Sequence, residues 1–283
     1  MKKIIITISL AIATASLLFV SCSKKKDSTT TPSDTTTPDY STTTEVNTTQ
    51  SDFDDMHKVA QNAISSNGQL RTGAAAPCGY TTISNDTIII NYGTNCVGTD
   101  LRVRQGQLII TYSGKYTTPG TVITIKTNGY TVNGRKIQGQ RKVTNIGLVL
   151  GDTTFTIVDT DTSGVAGSYA KITQINGKVG TWRSTRTRAW TAGFATPAYI
   201  SDDIYIINGT GDGVSSGGVT YSLTATNIER KLICWSEYLF APVSGILSLT
   251  ATDGTRSLDY GSGDCDNAAI YTHINGKTYS ITL

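Results

Sequence analysis

Val179-Gly180-Thr181-Trp182-Arg183-Ser184-Thr185-Arg186-Thr187-Arg188-Ala189-Trp190 reads as a β-strand. Alternate side chains of a strand point to opposite faces, so Trp182, Ser184, Arg186, Arg188 and Trp190 share one face. Aromatic rings beside guanidinium groups can stack on sugars or bind acidic groups. The same row can also be a ladder of arginines stacked between tryptophans that serves packing alone. Trp182, Arg186, Arg188 and Trp190 are therefore the candidate binding residues, with packing the favoured role of the two.

The same texture extends outward from this strand. From Gly79 onward Thr, Ile, Val and Tyr are dense, runs are short, and Gly, Asn and Asp punctuate them. Strands are expected at Thr87–Tyr92, Gln107–Ser113, Thr121–Thr127, Tyr130–Val132, Lys136–Thr144, Thr153–Asp159 and Tyr169–Ile175. Beyond Trp190 they are expected at Asp203–Ile207, Thr220–Thr226, Lys231–Tyr238, Gly245–Thr250, Thr255–Tyr260, Ala268–Ile274 and Lys277–Leu283. Asn133-Gly134, Asn176-Gly177, Asp253-Gly254 and Asn275-Gly276 are tight-hairpin signals. No long helical crossover separates the strands, so the sheet is expected to be antiparallel. The expected fold is all-β, a sandwich or an extended curved sheet, in one domain over 69–283 preceded by one short helix.

That helix is expected over 51–68. Ser51 is its cap, Asp54 completes a capping box, and Phe53, Met56, Val59, Ala60, Ala63 and Ile64 recur at helical spacing before Gly68. Residues 22–50 are dominated by Ser and Thr. Their low apolar content predicts a disordered tether, since little burial offsets the entropy of ordering.

At the start of the chain, Met1-Lys2-Lys3 precedes an apolar run, Ile4 to Val20. Phe19-Val20-Ser21-Cys22 resembles the lipobox of bacterial lipoproteins, with Phe19 where Leu is usual. That resemblance implies a signal peptide over 1–21, cleavage before Cys22 and acylation of Cys22, with no spanning helix needed. Lys24, Lys25 and Lys26 would then face lipid headgroups. Ser23 after the Cys resembles lipoproteins of the outer membrane, and either face of that membrane fits.

The chain has five Cys. Setting aside Cys22 leaves Cys78, Cys96, Cys234 and Cys265, an even set suited to disulfides in an oxidising compartment. Three connectivities are open, and an internal echo favours one of them. Ile90-Asn91-Tyr92-Gly93-Thr94-Asn95-Cys96 parallels Leu258-Asp259-Tyr260-Gly261-Ser262-Gly263-Asp264-Cys265 with one inserted residue, and each block has an earlier Cys, Cys78 or Cys234. The echo favours Cys78–Cys96 and Cys234–Cys265, and two related β units.

These blocks, with Gly98-Thr99-Asp100-Leu101-Arg102-Val103-Arg104, Gly120-Thr121-Val122-Ile123-Thr124 and Asn275-Gly276-Lys277, resemble a group of uncharacterised lipoproteins of Bacteroides- and Flavobacterium-type bacteria. The resemblance covers most of 78–283 and implies no activity or catalytic residue.

Composition argues against several chemistries. With two His and no Cys pair at CxxC spacing, metal and His-base catalysis are poorly supplied. Glu occurs only at Glu45, Glu229 and Glu237, which is meagre for glycoside hydrolysis. The glycine-rich run Gly209–Gly218 lacks the lysine of a phosphate loop and reads as a flexible hairpin loop. Asp202-Asp203, Asp264 and Asp266-Asn267 read as turn residues rather than calcium ligands. Net charge of +3 is too mild to imply nucleic acid. The expectation is a non-catalytic envelope lipoprotein without cofactor or metal, held to the membrane by its lipid and binding a glycan or another envelope protein. A structural or adhesive role is the alternative, and a polysaccharide hydrolase comes after it.

Overall fold

The computed structural model describes residues 40–65, 79–196 and 199–283. One helix, α1 (Ser41–Ser65), precedes fifteen strands. In chain order these are β1 (Tyr80–Ser84), β2 (Thr87–Val97), β3 (Val103–Tyr112), β4 (Val122–Val132), β5 (Arg135–Gln138), β6 (Gln140–Val149), β7 (Asp152–Thr160) and β8 (Ala170–Thr173). There follow β9 (Val179–Ala192), β10 (Ile204–Val214), β11 (Thr220–Lys231), β12 (Ser244–Ala251), β13 (Gly254–Ser262), β14 (Ala268–Thr272) and β15 (Thr278–Thr282). All belong to one sheet, and every pairing is antiparallel. Of the two expected architectures, the extended curved sheet is therefore the one found.

Strand order follows chain order except in the middle. There β4 pairs both β5 and β6, and β9 pairs both β8 and β7. The break comes at Gly139, whose N–H donates to Thr127 Oγ1 at 3.0 Å. The four dipeptides expected as hairpin signals all lie at hairpin connections, whereas Asn128-Gly129, Asn208-Gly209 and Asp212-Gly213 lie inside strands. At Asn133-Gly134, between β4 and β5, both residues have positive φ, 47° and 78°, as a two-residue primed turn requires.

The internal echo corresponds to one local device used twice. Asn91 Oδ1 accepts from the Gly93 N–H at 2.9 Å, and Asp259 Oδ1 accepts from the Gly261 N–H at 3.0 Å. Both glycines have positive φ, 64° and 90°, and the intervening Tyr92 and Tyr260 are buried. The pairing register shifts beside each, so each is a bulge that bends the sheet and turns a tyrosine inward. Asn145-Ile146-Gly147 repeats the bulge on β6, with 2.8 Å from Gly147 N to Asn145 Oδ1.

The helix departs most from expectation. It begins at Ser41, so 41–50, expected to belong to a disordered tether, is helical, and Ser51 is not a cap but a mid-helix residue. Thr43, Val46, Asn47, Thr49 and Gln50 are buried. Ser, Thr and Asn are weak helix formers, and an isolated helix of this composition would not persist in water. Burial decides the matter. Tyr40, just before α1, meets Tyr271 of β14 (ring centroids 5.7 Å), and along its length α1 meets Ser216 after β10 (Glu45), Tyr260 of β13 (Asn47), Arg135 of β5 (Asp52), Arg104 of β3 (Asp55), Arg188 of β9 (His57) and Tyr205 of β10 (Gln61). One helix reaches so many strands of a single sheet only if the sheet curls around it. The expected end at Gly68, the tether over 22–39 and the signal segment lie outside the described residues.

Two smaller corrections concern strands. Lys231–Tyr238, expected as a strand, is the end of β11 followed by a 3-10 helix, Leu232–Glu237, that buries Leu232, Cys234 and Trp235. Most of Gly209–Gly218, expected as a flexible loop, is the second half of β10, and only the turn after Val214 connects it to β11.

Phe53 shows how closely the helix is held. It is fully buried, stacked on Trp182 with centroids 6.3 Å apart, and the Arg141 guanidinium lies 5.5 Å from its ring centre. Phe53→Ala is expected to cost about 3–5 kcal/mol in urea unfolding, because the enclosed site cannot collapse around the missing ring. A cost under about 1 kcal/mol would mean that α1 does not fill the sheet.

Candidate functional site

The inward face of β9 carries the residues singled out in the sequence. Trp182, Ser184, Arg186, Arg188 and Trp190 do share one face, and all are buried beneath α1. They are thus closed to a glycan or a protein surface arriving from solvent. The indole N–H of Trp182 and the hydroxyl of Ser184 both donate to Asp159 Oδ2, at 3.1 and 2.7 Å. The indole N–H of Trp190 donates to Asp203 Oδ1 at 3.0 Å. Arg188 lies 3.3 Å from the ring centre of Tyr205, and Arg186 lies 5.1 Å from that of Trp182. Arginines and aromatic rings are thus stacked together on one sheet face.

Opposite this face α1 presents carboxylates. The Asp55 carboxylate takes Arg104 Nη2 at 2.8 Å, and Asp100 takes the same nitrogen at 2.6 Å. Arg135 Nη2 reaches Asp52 at 2.7 Å, and Arg102 lies 3.8 Å from both Asp52 and Asp55. Arg141 bridges helix and sheet, with Nη1 2.7 Å from Asp54 and Nε 2.7 Å from Asp159. Arg230 Nε lies 3.0 Å from Asp54 on the other side.

These neighbours set the ionisation of each group. Burial works against the charge of Asp54, yet Arg230, Arg141 and Arg186 hold its carboxyl well below the usual range. Asp55 is likewise lowered by Arg104 and Arg102 in spite of burial. For Asp52 burial prevails over Arg135 and Arg102 and pushes the carboxyl up to about 7. His57, buried and facing Arg188 at 2.7 Å through Nδ1, is held well below its ordinary value; its neutral Nδ1 accepts the guanidinium proton.

At the far end of the helix sits a compact polar knot. Asp203 Oδ2 accepts from Gln61 Nε2 at 3.2 Å and from the Tyr205 hydroxyl at 2.8 Å, while Oδ1 takes Trp190. Burial raises the Asp203 carboxyl to about 6, with the Tyr205 hydrogen bond, Arg188 and the Trp190 hydrogen bond opposing it.

The sequence reading missed most of this network. Asp52, Asp54, Asp55 and His57 lie on the helix, and Arg104, Arg141 and Arg230 lie on strands in phase with buried apolar residues. That phase was the available signal: an arginine in step with Leu108 and Ile110 faces inward, and an inward arginine needs a carboxylate. Among the described residues no group of His, Cys, Asp and Glu is arranged to hold a metal ion. Asp203 is buried in the interior, and Asp266 caps the Ala268 N–H at 2.9 Å.

Cys234 and Cys265 form a disulfide, one of the two expected pairs, with Cα atoms 5.4 Å apart. Cys96 is also disulfide-bonded, and its partner, like the expected Cys78, lies outside the described residues.

Asp203 yields a test with a defined sign. A carboxyl whose folded-state value is raised from 3.8 to about 6 contributes stability that is fully present below 3.8 and is lost as pH rises from there through 6. Wild type should therefore lose stability relative to Asp203→Asn as pH rises from about 4 to about 6, with the difference level above that, in paired thermal melts; a pH-independent difference would contradict the buried knot. Compared with known proteins, the chain matches no family model, no curated protein and no solved structure.

Proposed function

We propose that this chain is a lipid-anchored envelope protein, without catalytic activity, that binds a partner of the envelope through one end of its β-sheet. The supporting observation is an exposed apolar tip on the β6–β7 hairpin. Ile146, Leu148, Val149 and Leu150 all stand out from it, Leu148 at 74% and Leu150 at 102% of full exposure. Leu150 also adopts a positive φ of 53°, a conformation that disfavours a branched apolar side chain. Four exposed apolar side chains in succession around a turn oppose solubility, and such patches mark interaction surfaces.

The tip has neighbours. Thr153 pairs with Trp190, and Ile204 pairs with both Ala192 and Lys231. The connection after β9 and the 3-10 helix after β11 therefore emerge at the same end, bringing exposed Phe194, Tyr199, Ile233 and Tyr238. A set of apolar and aromatic side chains on loops held by a rigid sheet suits recognition of a protein or a glycan surface.

Anchoring is supported by the lipobox resemblance around Cys22, and an oxidising compartment by the Cys234–Cys265 disulfide. The buried carboxylates bear on the hydrolase alternative: Asp52, Asp54, Asp55 and Asp159 are each held by arginines beneath α1, which suits clamping better than proton transfer to a substrate.

Two measurements test the proposal. Cys22→Ala should move the chain from the membrane fraction to the soluble envelope fraction; an unchanged membrane fraction would remove the lipid anchor. Leu148→Ser with Leu150→Ser should abolish crosslinking to envelope partners in native membranes while leaving the melting temperature within about 2 °C, as surface changes do. Undiminished crosslinking would remove the tip as the interface.

A further inference from the structure

We infer that the space between α1 and strands β9–β11 is a binding site for one small monovalent anion of halide size, held by Lys58, Arg188 and Arg230. The starting point is a charge imbalance in the interior. Of the buried arginines, Arg104, Arg141 and Arg230 each contact a carboxylate closely. Arg186 and Arg188, two residues apart on the same face of β9, have no carboxylate within ion-pair distance among the described residues. Among the described residues Arg186 has no hydrogen-bond partner for any of its three nitrogens, and the Nε of Arg188 has none either. Arg188 Nη1 meets only neutral His57. An arginine does not shed its proton, so a buried guanidinium without a counter-charge is costly, by several kcal/mol per ion.

Of these two arginines, Arg188 lines a cleft. Its lining is Asp54, Lys58, Arg188, Ile207, Arg230, Leu232 and Trp235, and it has room for little more than a water-sized guest. Arg230 donates through Nη1 to the Phe240 carbonyl at 2.8 Å, its Nη2 has no hydrogen-bond partner among the described residues, and its Nε, though 3.0 Å from Asp54, is not aligned for a hydrogen bond. Lys58 lies with its ammonium 4.0 Å from the centre of the Trp235 ring. Three cations thus meet one carboxylate, and Asp54 is already engaged by Arg141. A monovalent anion offsets part of that excess, and the small cleft has no room for a polyatomic dianion. The apolar walls of Ile207, Leu232 and Trp235 favour a weakly hydrated ion. Chloride has the charge, size and hydration that this cleft selects.

The test uses the full chain and bromide as the probe. Crystals grown in sodium bromide should show an anomalous peak between Lys58, Arg188 and Arg230. In solution, the melting temperature should rise saturably with chloride or bromide against gluconate at equal ionic strength, by roughly 2–4 °C at tenfold excess over the dissociation constant. Arg188→Gln should lose that halide-dependent rise. If that variant does not fold, Lys58→Gln at the rim of the cleft serves the same comparison. No bromide at the cleft, with equal melting in chloride and gluconate, would leave only water there and overturn the site. Bromide bound only at the outer surface would overturn it as well.

Discussion

Three aspartates on one helix, Asp52, Asp54 and Asp55, meet arginines that arrive from widely separated parts of a single sheet. Everything else in the fold depends on that meeting. Buried ion pairs add little net stability, because desolvation consumes most of the attraction, but breaking one strands a charge at a cost of about 3–5 kcal/mol. Their consequence here is registry. A slide of α1 by one turn, ~5.4 Å, would separate Asp55 from Arg104 and Asp54 from Arg141 together. The helix is thereby fixed in rotation and height, and the strands are fixed around it.

Apolar packing supplies the driving force that the ion pairs lack. Phe53, Met56, Ala60 and Ala63 are fully buried against rings and aliphatic side chains of the sheet. The Asx-x-Gly bulges at Asn91, Asn145 and Asp259 give the sheet the bends that a curled wall needs, and at Tyr92 and Tyr260 they add inward tyrosines. The disulfide Cys234–Cys265 ties the 3-10 helix to the loop after β13, bracing the end where exposed apolar tips project. The inside thus holds the wall to its axis, and exposed apolar side chains are gathered at one end.

Much of the fold was legible in the sequence, for physical reasons. Period-two alternation and Asn-Gly turns are local, and they placed most strands and four hairpins. The face shared by Trp182, Arg186, Arg188 and Trp190 was equally legible, because it follows from strand geometry alone. Which side of that face meets water was not, since this depends on a helix more than a hundred residues away. The first ten residues of α1 were missed because Thr, Ser and Asn carry neither helical propensity nor an apolar stripe; they are helical only because the sheet encloses them. Leu232–Glu237 looked like a strand because its composition is apolar, while its conformation serves the burial of Leu232, Cys234 and Trp235. The exposed tip at Leu148–Leu150 was hidden by the opposite effect: its residues are those of a core, and only the hairpin places them outside.

The claim that α1 is the structural axis, rather than an element laid on a self-sufficient sheet, is tested most directly by native-state hydrogen exchange. Amide protons of Asp52 through Gln61 should exchange only through global unfolding, with the same free energy and denaturant dependence as those of β9 and β10. Rapid exchange of those helix amides while the strands stay protected would show a sheet that stands without its helix, and would contradict the account.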